Sequence, residues 1–325
     1  MHEAIGAESR SFDPSQFRPG AISAETLAAN EAFRKATSGG PDWWDVGAPA
    51  YRAIAASGKG PFPRPEKSGR ARTIQIDGKG GHKVALRILA PETPRAIYMH
   101  LHGGGMVFGS SQLQDPMLER IVESTGMACA SVEYRLAPEN LYPAAWEDCE
   151  SVAVWLTKHA KSELGTDVLT IGGESAGATL AAATLLRLRD RHGYTGFRAA
   201  NMTCGNFDAS MTPSQLRAGD GGIVGKVGLR KYVEAYLPAG RDRRDPDVSP
   251  LYANLEKMPP ALFTVGTIDS LLDDSLFMHA RWVAAANSAT LAIYPGAIHA
   301  FTTLPMPQSP AANARIDAFL KRAIS

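Results

Sequence analysis

The sequence predicts an α/β protein with an eight-stranded, mostly parallel sheet flanked by helices. Two observations carry this prediction: apolar runs of strand length alternate with helix-length segments, and a Gly-rich turn joins two strands ahead of them. Parallel strands are covered on both faces, so their sequences need not alternate polar and apolar residues. The six apolar runs are "AIYMHL" from Ala96, "MACASV" from Met127, "VLTI" from Val168, "RAANMT" from Arg198, "ALFTV" from Ala261 and "LAIYP" from Leu291.

Two further segments complete the predicted organisation. The stretch "RTIQIDGKGGHKVALRIL" (72–89) predicts an antiparallel hairpin. Residues 1–68, rich in Pro, Gly and Ser, predict an N-terminal cap segment, and residues 208–245 predict a second one, because that interval has helical pieces but no clear strand. An insertion at the carboxyl edge of a parallel sheet lies where ligands bind. The catalytic core is then 69–207 with 246–325.

Composition excludes several classes of partner. The net charge is +1 over 325 residues, which offers no electrostatic basis for binding nucleic acid or an anionic membrane. No run approaches the roughly 20 apolar residues that span a bilayer, and the first residues lack the pattern of a signal peptide. Cys129, Cys149 and Cys204 have no metal-ligand spacing. We therefore expect a cytoplasmic protein without a metal or other cofactor.

A small-residue turn follows the run at Val168. Gly173-Glu174-Ser175-Ala176-Gly177 fits the pattern G-x-S-x-G and precedes a helical run of Ala and Leu. On a nucleophile elbow the chain turns so tightly that side chains two residues away on either side would collide, and the serine is held up at a helix N-terminus. The pattern predicts a nucleophile at Ser175. A structural strand–helix turn is the alternative while the pentapeptide is taken alone.

A serine nucleophile needs a base, and in α/β-hydrolases the chain order is serine, acid, histidine. Three histidines follow Ser175. His192 suits a helix C-terminus, and His279 lies within a helical pattern. His299 follows the last strand run, on the same sheet edge as the serine, so it is the predicted base.

The acid is predicted in "GTIDSLLDDS". Asp269 comes directly after a strand and before a helix, where a carboxylate reaches the neighbouring loop. Asp273 and Asp274 would lie in the first helical turn, where the helix dipole favours carboxylates in any case. Asp269 is the predicted acid, with Asp273 as the alternative.

Backbone donors for an oxyanion are predicted in "LHGGGMVFG", after the strand run at Ala96. Glycines let a backbone approach a substrate and orient its amides freely. His102 and Gly103–Gly105 form this loop, and the N–H of Ala176 would complete the oxyanion hole.

Together these motifs resemble the hormone-sensitive-lipase family of carboxylesterases (bacterial family IV), which are α/β-hydrolases with an HGGG motif. The resemblance runs from about residue 70 to the C-terminus and includes "VEYRLAPENLYPAAWED" (132–148), whose YRLAPE segment has no functional meaning from spacing alone. Two positions depart from the family pattern: Ser270 replaces the usual proline, and Ile298 is bulkier than usual.

The resemblance implies an α/β-hydrolase fold with a helical cap, and it assigns roles to the motif residues. It implies a triad of Ser175, Asp269 and His299. It implies oxyanion donors at Gly104, Gly105 and Ala176. Supporting positions are His102, Gly103, Gly173, Glu174 and Gly177, and structural charges, buried or capping, are Glu139, Glu147 and Asp148. Homodimers are frequent in the family, while the sequence alone leaves the oligomeric state open.

The predicted function is hydrolysis of a small-molecule carboxylic ester through an acyl-enzyme. Short acyl chains are favoured because Trp43, Trp44 and Phe62 in the N-terminal segment would narrow the pocket, although packing within the cap is the alternative for the tryptophans. Competing functions are an amidase or peptidase with the same triad, an acetyl-hydrolase or acetyl-transfer activity, and a non-catalytic receptor of the same fold. The retained His299 argues against the receptor.

Overall fold

The computed structural model describes residues 13–57, 65–219 and 224–325. Within them, one eight-stranded sheet has the order β1-β2-β4-β3-β5-β6-β7-β8. The strands are β1 (Arg72–Asp77), β2 (Lys83–Leu89), β3 (Ile97–Leu101), β4 (Ala128–Glu133), β5 (Leu169–Glu174), β6 (Ala200–Thr203), β7 (Ala261–Gly266) and β8 (Ala289–Tyr294). The β1–β2 and β2–β4 pairs are antiparallel and the other five pairs are parallel. The predicted fold class, including the hairpin and the six apolar runs, is confirmed.

Ten α-helices lie in the described residues. They are α1 (Ala24–Thr37), α2 (Trp43–Val46), α3 (Ala48–Ala56), α4 (Asp115–Thr125), α5 (Ala144–Leu164), α6 (Ala176–His192), α7 (Pro213–Arg217), α8 (Lys226–Tyr236), α9 (Leu272–Ala284) and α10 (Ser309–Ala323). No helix among these described segments is long and apolar enough to cross a membrane.

The sheet separates two hydrophobic cores. Helices α5, α6 and α9 contribute to the larger core, and α4 and α10 contribute to the smaller one. Successive side chains of a strand point to opposite faces, and β3 shows this directly: Met99 packs into the larger core, whereas Tyr98 packs into the smaller one. Burial on both faces explains why the strand runs are apolar throughout.

The predicted cap segments consist of short helices that contact one another and the core. Helices α1–α3 precede the sheet, and α7 and α8 lie between β6 and β7. Trp43 of α2 packs against Tyr232 of α8, with ring centroids 5.2 Å apart. Asn30 of α1 donates to the carbonyl of Gly296, beside β8. Phe62 lies outside the described residues.

The three acidic residues that were expected to be structural charges occupy different environments. Asp148 is fully buried and accepts hydrogen bonds from the Arg135 guanidinium. Glu147 lies in the first turn of α5 and forms an ion pair with Lys79. The expectation of a buried or capping charge is wrong for Glu139, whose side chain is 46% exposed and forms an ion pair with Arg52.

Candidate active site

The serine lies on a strained turn between β5 and α6. Ser175 has φ 55° and ψ −120°, a conformation that costs an L-residue on the order of 1–3 kcal/mol. A Cβ at Gly173 would lie 2.1 Å from the carbonyl oxygen of Leu101, and one at Gly177 would lie 1.9 Å from the same atom. Glycine at both positions therefore lets the elbow press against the end of β3.

Ser175, His299 and Asp269 form one hydrogen-bonded chain. Nε2 of His299 lies 2.9 Å from the Ser175 Oγ, and Nδ1 lies 3.0 Å from each carboxylate oxygen of Asp269. An ionised carboxylate only accepts hydrogen bonds, so Nδ1 carries the imidazole proton and Nε2 is left to accept from the serine hydroxyl. His299 and Asp269 are 5% and 4% exposed, which shields the chain from water.

Two strand ends bring the acid and the histidine together. Asp269 lies in the turn between β7 and α9, where its Oδ1 also accepts from the N–H of Leu271 at 2.9 Å. The two loops pack closely because Gly266 has no side chain: a Cβ there would lie 1.9 Å from the carbonyl oxygen of Ala297. The backbone N–H of Leu271 thus helps to hold the carboxylate in the orientation in which it contacts His299.

Opposing effects act on the pKa of His299. Burial disfavours the charged imidazolium and lowers the pKa, but the Asp269 carboxylate and the sulfur of Cys204 favour the imidazolium. The attraction to Asp269 prevails, and the pKa lies well above its ordinary value of 6.5. The imidazole is accordingly a strong acceptor for a proton from Ser175.

The alternative acids are engaged elsewhere. Asp273 accepts from the backbone N–H of Ser214 at 2.7 Å. Asp274 is fully buried and receives four hydrogen bonds, from the N–H groups of Phe207 and Asp208 and from the side chains of Thr212 and Gln215. Burial raises the pKa of Asp274 to about 7 against the lowering effect of these donors. Both carboxylates therefore link α9 to the segment that follows β6, and neither contacts His299.

The other two histidines after the serine also lie away from it. His192 is the last residue of α6 and its Nε2 lies 2.9 Å from Glu150. His279 lies inside α9, and its ring packs against Phe263. His299 is the histidine that the structure brings to Ser175.

The glycine loop after β3 presents backbone amides to the serine. Gly104 and Gly105 have φ 119° and 63°, conformations that favour glycine. Among the described residues, the N–H groups of Gly104, Gly105 and Ala176 donate to no protein acceptor. All three residues line the cavity above Ser175, so their amides are candidates to bind a substrate carbonyl there.

His102 supports this loop from below. Its ring stacks on Tyr134 with a centroid separation of 4.1 Å, and its Nδ1 donates to the carbonyl of Gly103 at 2.9 Å. The Tyr134 hydroxyl donates to the His102 carbonyl at 2.7 Å. Burial lowers the pKa of His102 to about 4, so the ring is neutral near pH 7, and its contacts are with Tyr134 and the loop backbone.

Sequence reasoning missed two groups next to the site. Glu174 was expected only as part of the elbow, but its Oε2 lies 3.0 Å from the buried His100, whose other ring nitrogen lies 2.9 Å from the hydroxyl of Ser131. Cys204 directly follows β6 and lies beside the triad. Its place after an apolar strand run, at the same sheet edge as Ser175, is the signal that could have identified it.

The cavity over Ser175 has a volume of about 210 Å³. Its lining includes residues of the glycine loop, the elbow, the loop of His299 and one face of α8: Gly103, Gly104, Gly105, Met106, Gln114, Glu174, Ser175, Ala176, Thr179, Asn206, Val224, Leu229, Tyr232, Tyr236, Leu271, His299, Ala300 and Thr303. Trp43 and Trp44 are not part of this lining. Trp43 packs behind Tyr232, and Trp44 packs against Gly228.

Comparison with known proteins agrees with this geometry. A family model described as alpha/beta hydrolase fold matches residues 98–303. An acetyl esterase of Salmonella schwarzengrund (strain CVM19633) is 31% identical over 232 residues, which cover 67% of this chain and 69% of the relative.

Two solved structures are similar over nearly the whole chain. A thermostable esterase from Pseudomonas putida ECU1011 has a TM-score of 0.81 and 26% identity, with 94% of this chain and 98% of that chain covered. A hyperthermophilic esterase from the archaeon Pyrobaculum calidifontis has a TM-score of 0.75 and 26% identity, with 94% and 96% covered. Since the family model covers well over half of the sequence, this chain belongs to the α/β-hydrolase-fold family.

Proposed function

We propose that this chain is a serine carboxylesterase that hydrolyses short-chain carboxylic esters through an acyl-enzyme intermediate. Its broad class, carboxylic ester hydrolase, is confirmed by the esterase relatives. The observation that carries the residue roles is the hydrogen-bonded chain from Ser175 through His299 to Asp269, at 2.9 and 3.0 Å. It is the arrangement required to activate a hydroxyl nucleophile.

The triad residues act in sequence during acylation. Ser175 Oγ attacks the acyl carbon while Nε2 of His299 accepts the hydroxyl proton. Asp269 holds Nδ1–H and stabilises the imidazolium that forms. His299 then gives its proton to the leaving alcohol, and the C–O bond of the ester breaks. Water repeats these steps on the acyl-enzyme and releases the acid.

The oxyanion of each tetrahedral intermediate is bound by backbone amides. The N–H groups of Gly104, Gly105 and Ala176 are free of protein acceptors among the described residues, and they lie at the cavity wall next to Ser175. Fixed donors in a site shielded from water stabilise developing charge without reorganising. The proposed hole needs no metal ion.

Two observations favour short acyl chains. The cavity of about 210 Å³ is smaller than the roughly 300–1,000 Å³ typical of pockets for drug-sized ligands. A relative at 31% identity is an acetyl esterase. We propose that the described parts of the N-terminal segment and of residues 208–245 form the cap over this cavity, with Tyr232 as the ring of the cap nearest the glycine loop.

The decisive experiment is Ser175→Ala assayed with p-nitrophenyl acetate, with circular dichroism to show an intact fold. Substantial residual hydrolysis by the folded variant would overturn the nucleophile assignment. A p-nitrophenyl ester series from acetate to palmitate tests the acyl preference, and a maximum at laurate or longer would contradict it. A matched acetanilide in the same assay distinguishes an esterase from an amidase.

A further inference from the structure

The triad has a fourth neighbour that the esterase mechanism does not use. Cys204 Sγ, one carboxylate oxygen of Asp269 and one ring nitrogen of His299 all lie within 4.8 Å of one another. All three residues are buried, and Cys204 is 0% exposed. The three come from the ends of three different strands, β6, β7 and β8, so the fold itself assembles the cluster.

The backbone at Cys204 is unusual for a residue with a side chain. Its φ is 39°, a left-handed value that L-residues rarely adopt without cost. Its N–H donates to the Thr264 carbonyl at 2.8 Å, so the strained residue is held by the end of the sheet. The strained backbone thus holds the thiol sulfur within 4.8 Å of one ring nitrogen of His299.

The cluster has the ligand types and nearly the spacing of a tetrahedral metal site. With zinc bonds of about 2.0–2.2 Å to nitrogen and oxygen, the two ligand atoms are about 3.4 Å apart, and sulfur at about 2.3 Å lies about 3.6 Å from the nitrogen. Nδ1 of His299 is now 3.0 Å from the carboxylate oxygens. The ion would fit if the distance from Nδ1 to the carboxylate oxygen grew by about 0.4 Å and the sulfur moved towards Nδ1 by at most about 1.2 Å.

We propose that Cys204, Asp269 and His299 form a latent inhibitory site for a thiophilic divalent cation such as Zn²⁺ or Cd²⁺. The ion bonds to Cys204 Sγ, an Asp269 oxygen and Nδ1 of His299, and water takes a fourth position. Thiolate and imidazole ligands select zinc and cadmium over Mg²⁺ or Ca²⁺, which prefer oxygen.

Charge and protons balance in this binding step. The Cys204 S–H bond breaks and its proton leaves for solvent, while the imidazole proton moves from Nδ1 to Nε2. Two anionic ligands then neutralise the divalent charge, which suits a buried site. At a pH above the pKa of His299, where the free ring is neutral, one proton is released for each ion bound.

The proton shift accounts for inhibition, a consequence that rests on the proposed triad. When the ion occupies Nδ1, the neutral ring carries its proton on Nε2, the atom 2.9 Å from Ser175 Oγ. That nitrogen has no lone pair left to accept the serine proton. The carboxylate that would stabilise an imidazolium is also bound to the ion. Substrate binding above Ser175 is unaffected, so kcat falls rather than KM rising.

The test measures metal binding and hydrolysis on the same full-length protein. Cd²⁺ titration should produce the ultraviolet thiolate-to-cadmium charge-transfer band at one equivalent. In weakly buffered solution at a pH above the pKa of His299, it should release one proton. Zn²⁺ or Cd²⁺ should lower kcat for p-nitrophenyl acetate, EDTA should restore it, and Mg²⁺ should have no effect.

For each variant, inhibition by the metal ion is measured relative to the rate of the same variant without metal. Cys204→Ala and Cys204→Ser should lose the band and weaken inhibition by more than the roughly 10- to 100-fold that loss of an outer-shell partner costs. Cys149→Ala is the matched control, because Cys149 is equally buried and lies in the hydrophobic core; it should keep the band. Inhibition unchanged in both Cys204 variants, or a band lost in Cys149→Ala, would overturn the site.

Ser175→Ala separates this proposal from the esterase mechanism. The serine is not a ligand, so this variant should still show the cadmium band and release a proton. Loss of the band in a folded Ser175→Ala protein contradicts the proposed ligand set. Residual hydrolysis by that variant contradicts the proposed nucleophile and leaves the metal-binding result to be judged on its own readout.

Discussion

Replacing Asp269 by asparagine should remove the charge that stabilises the His299 imidazolium while leaving the local shape unchanged. The side chain accepts from Leu271 N–H at 2.9 Å, a contact that an amide oxygen can keep. The loss should therefore appear in catalysis and not in folding.

The magnitude follows from the geometry. The 3.0 Å contacts from Nδ1 place the two charge centres about 4 Å apart, and at an effective dielectric constant of about 20 the attraction is about 4 kcal/mol. This energy is gained only when the imidazolium forms, so it corresponds to a loss of about 10³-fold in kcat. We expect the measured loss in kcat to lie on the order of 10²–10⁴-fold, because the substitution also disturbs the imidazole tautomer.

The assay compares Asp269→Asn with Asp273→Asn on p-nitrophenyl acetate, with kcat and KM measured separately. Asp273 is the matched control because its carboxylate binds Ser214 N–H and not the imidazole, so its variant should stay within a few-fold of the native rate. Equal losses in the two variants, or a loss below 10-fold for Asp269→Asn, would refute the assignment of the acid.

Three further outcomes are expected. Because Asp269 raises the pKa of His299 above 6.5, kcat/KM should fall as pH decreases through a midpoint above 6.5, and Asp269→Asn should move that midpoint to lower pH; an unmoved midpoint would contradict the coupling. The pKa of Asp274 is about 7 in the folded protein against an ordinary 3.8, so the folded state binds this proton more tightly than the unfolded state. The resulting contribution to the free energy of unfolding is fully present below about pH 4, and up to about 4 kcal/mol of it is lost as the pH rises through 7. Chemical denaturation of Asp274→Asn should lack this slope. Gly104→Ala places a Cβ 2.3 Å from the Phe108 carbonyl oxygen at φ 119°, so kcat should fall on the order of 10²-fold through a displaced oxyanion loop; native kcat in that variant would exclude Gly104 as a donor.

Strand positions and motif order were accessible to sequence reasoning because they depend on local patterns. Each apolar run lies on a strand, and the elbow lies between β5 and α6, since tight turns need glycine wherever they occur. Asp269 and His299 were selected by their place after strands, and the structure brings them to Ser175. The acidic residue Glu139 shows the limit of this reasoning, because its ion pair with Arg52 joins two segments that are 87 residues apart.

The sequence by itself determined the fold class and the candidate triad, because strand runs and glycine turns are local patterns and the order of the motifs can be read along the chain. Only the tertiary structure decided which groups surround the triad. The His100–Glu174 contact, the Cys204 thiol beside His299 and the Asp274 carboxylate beneath α7 each join segments distant along the chain. The tertiary structure also sets the size of the cavity, because Tyr232 lines it from α8, a helix whose sequence contains no motif. Packing across the sheet edge sets these neighbours. Cys204 has a local signal, its place after a strand run, but the sequence does not show which groups it contacts.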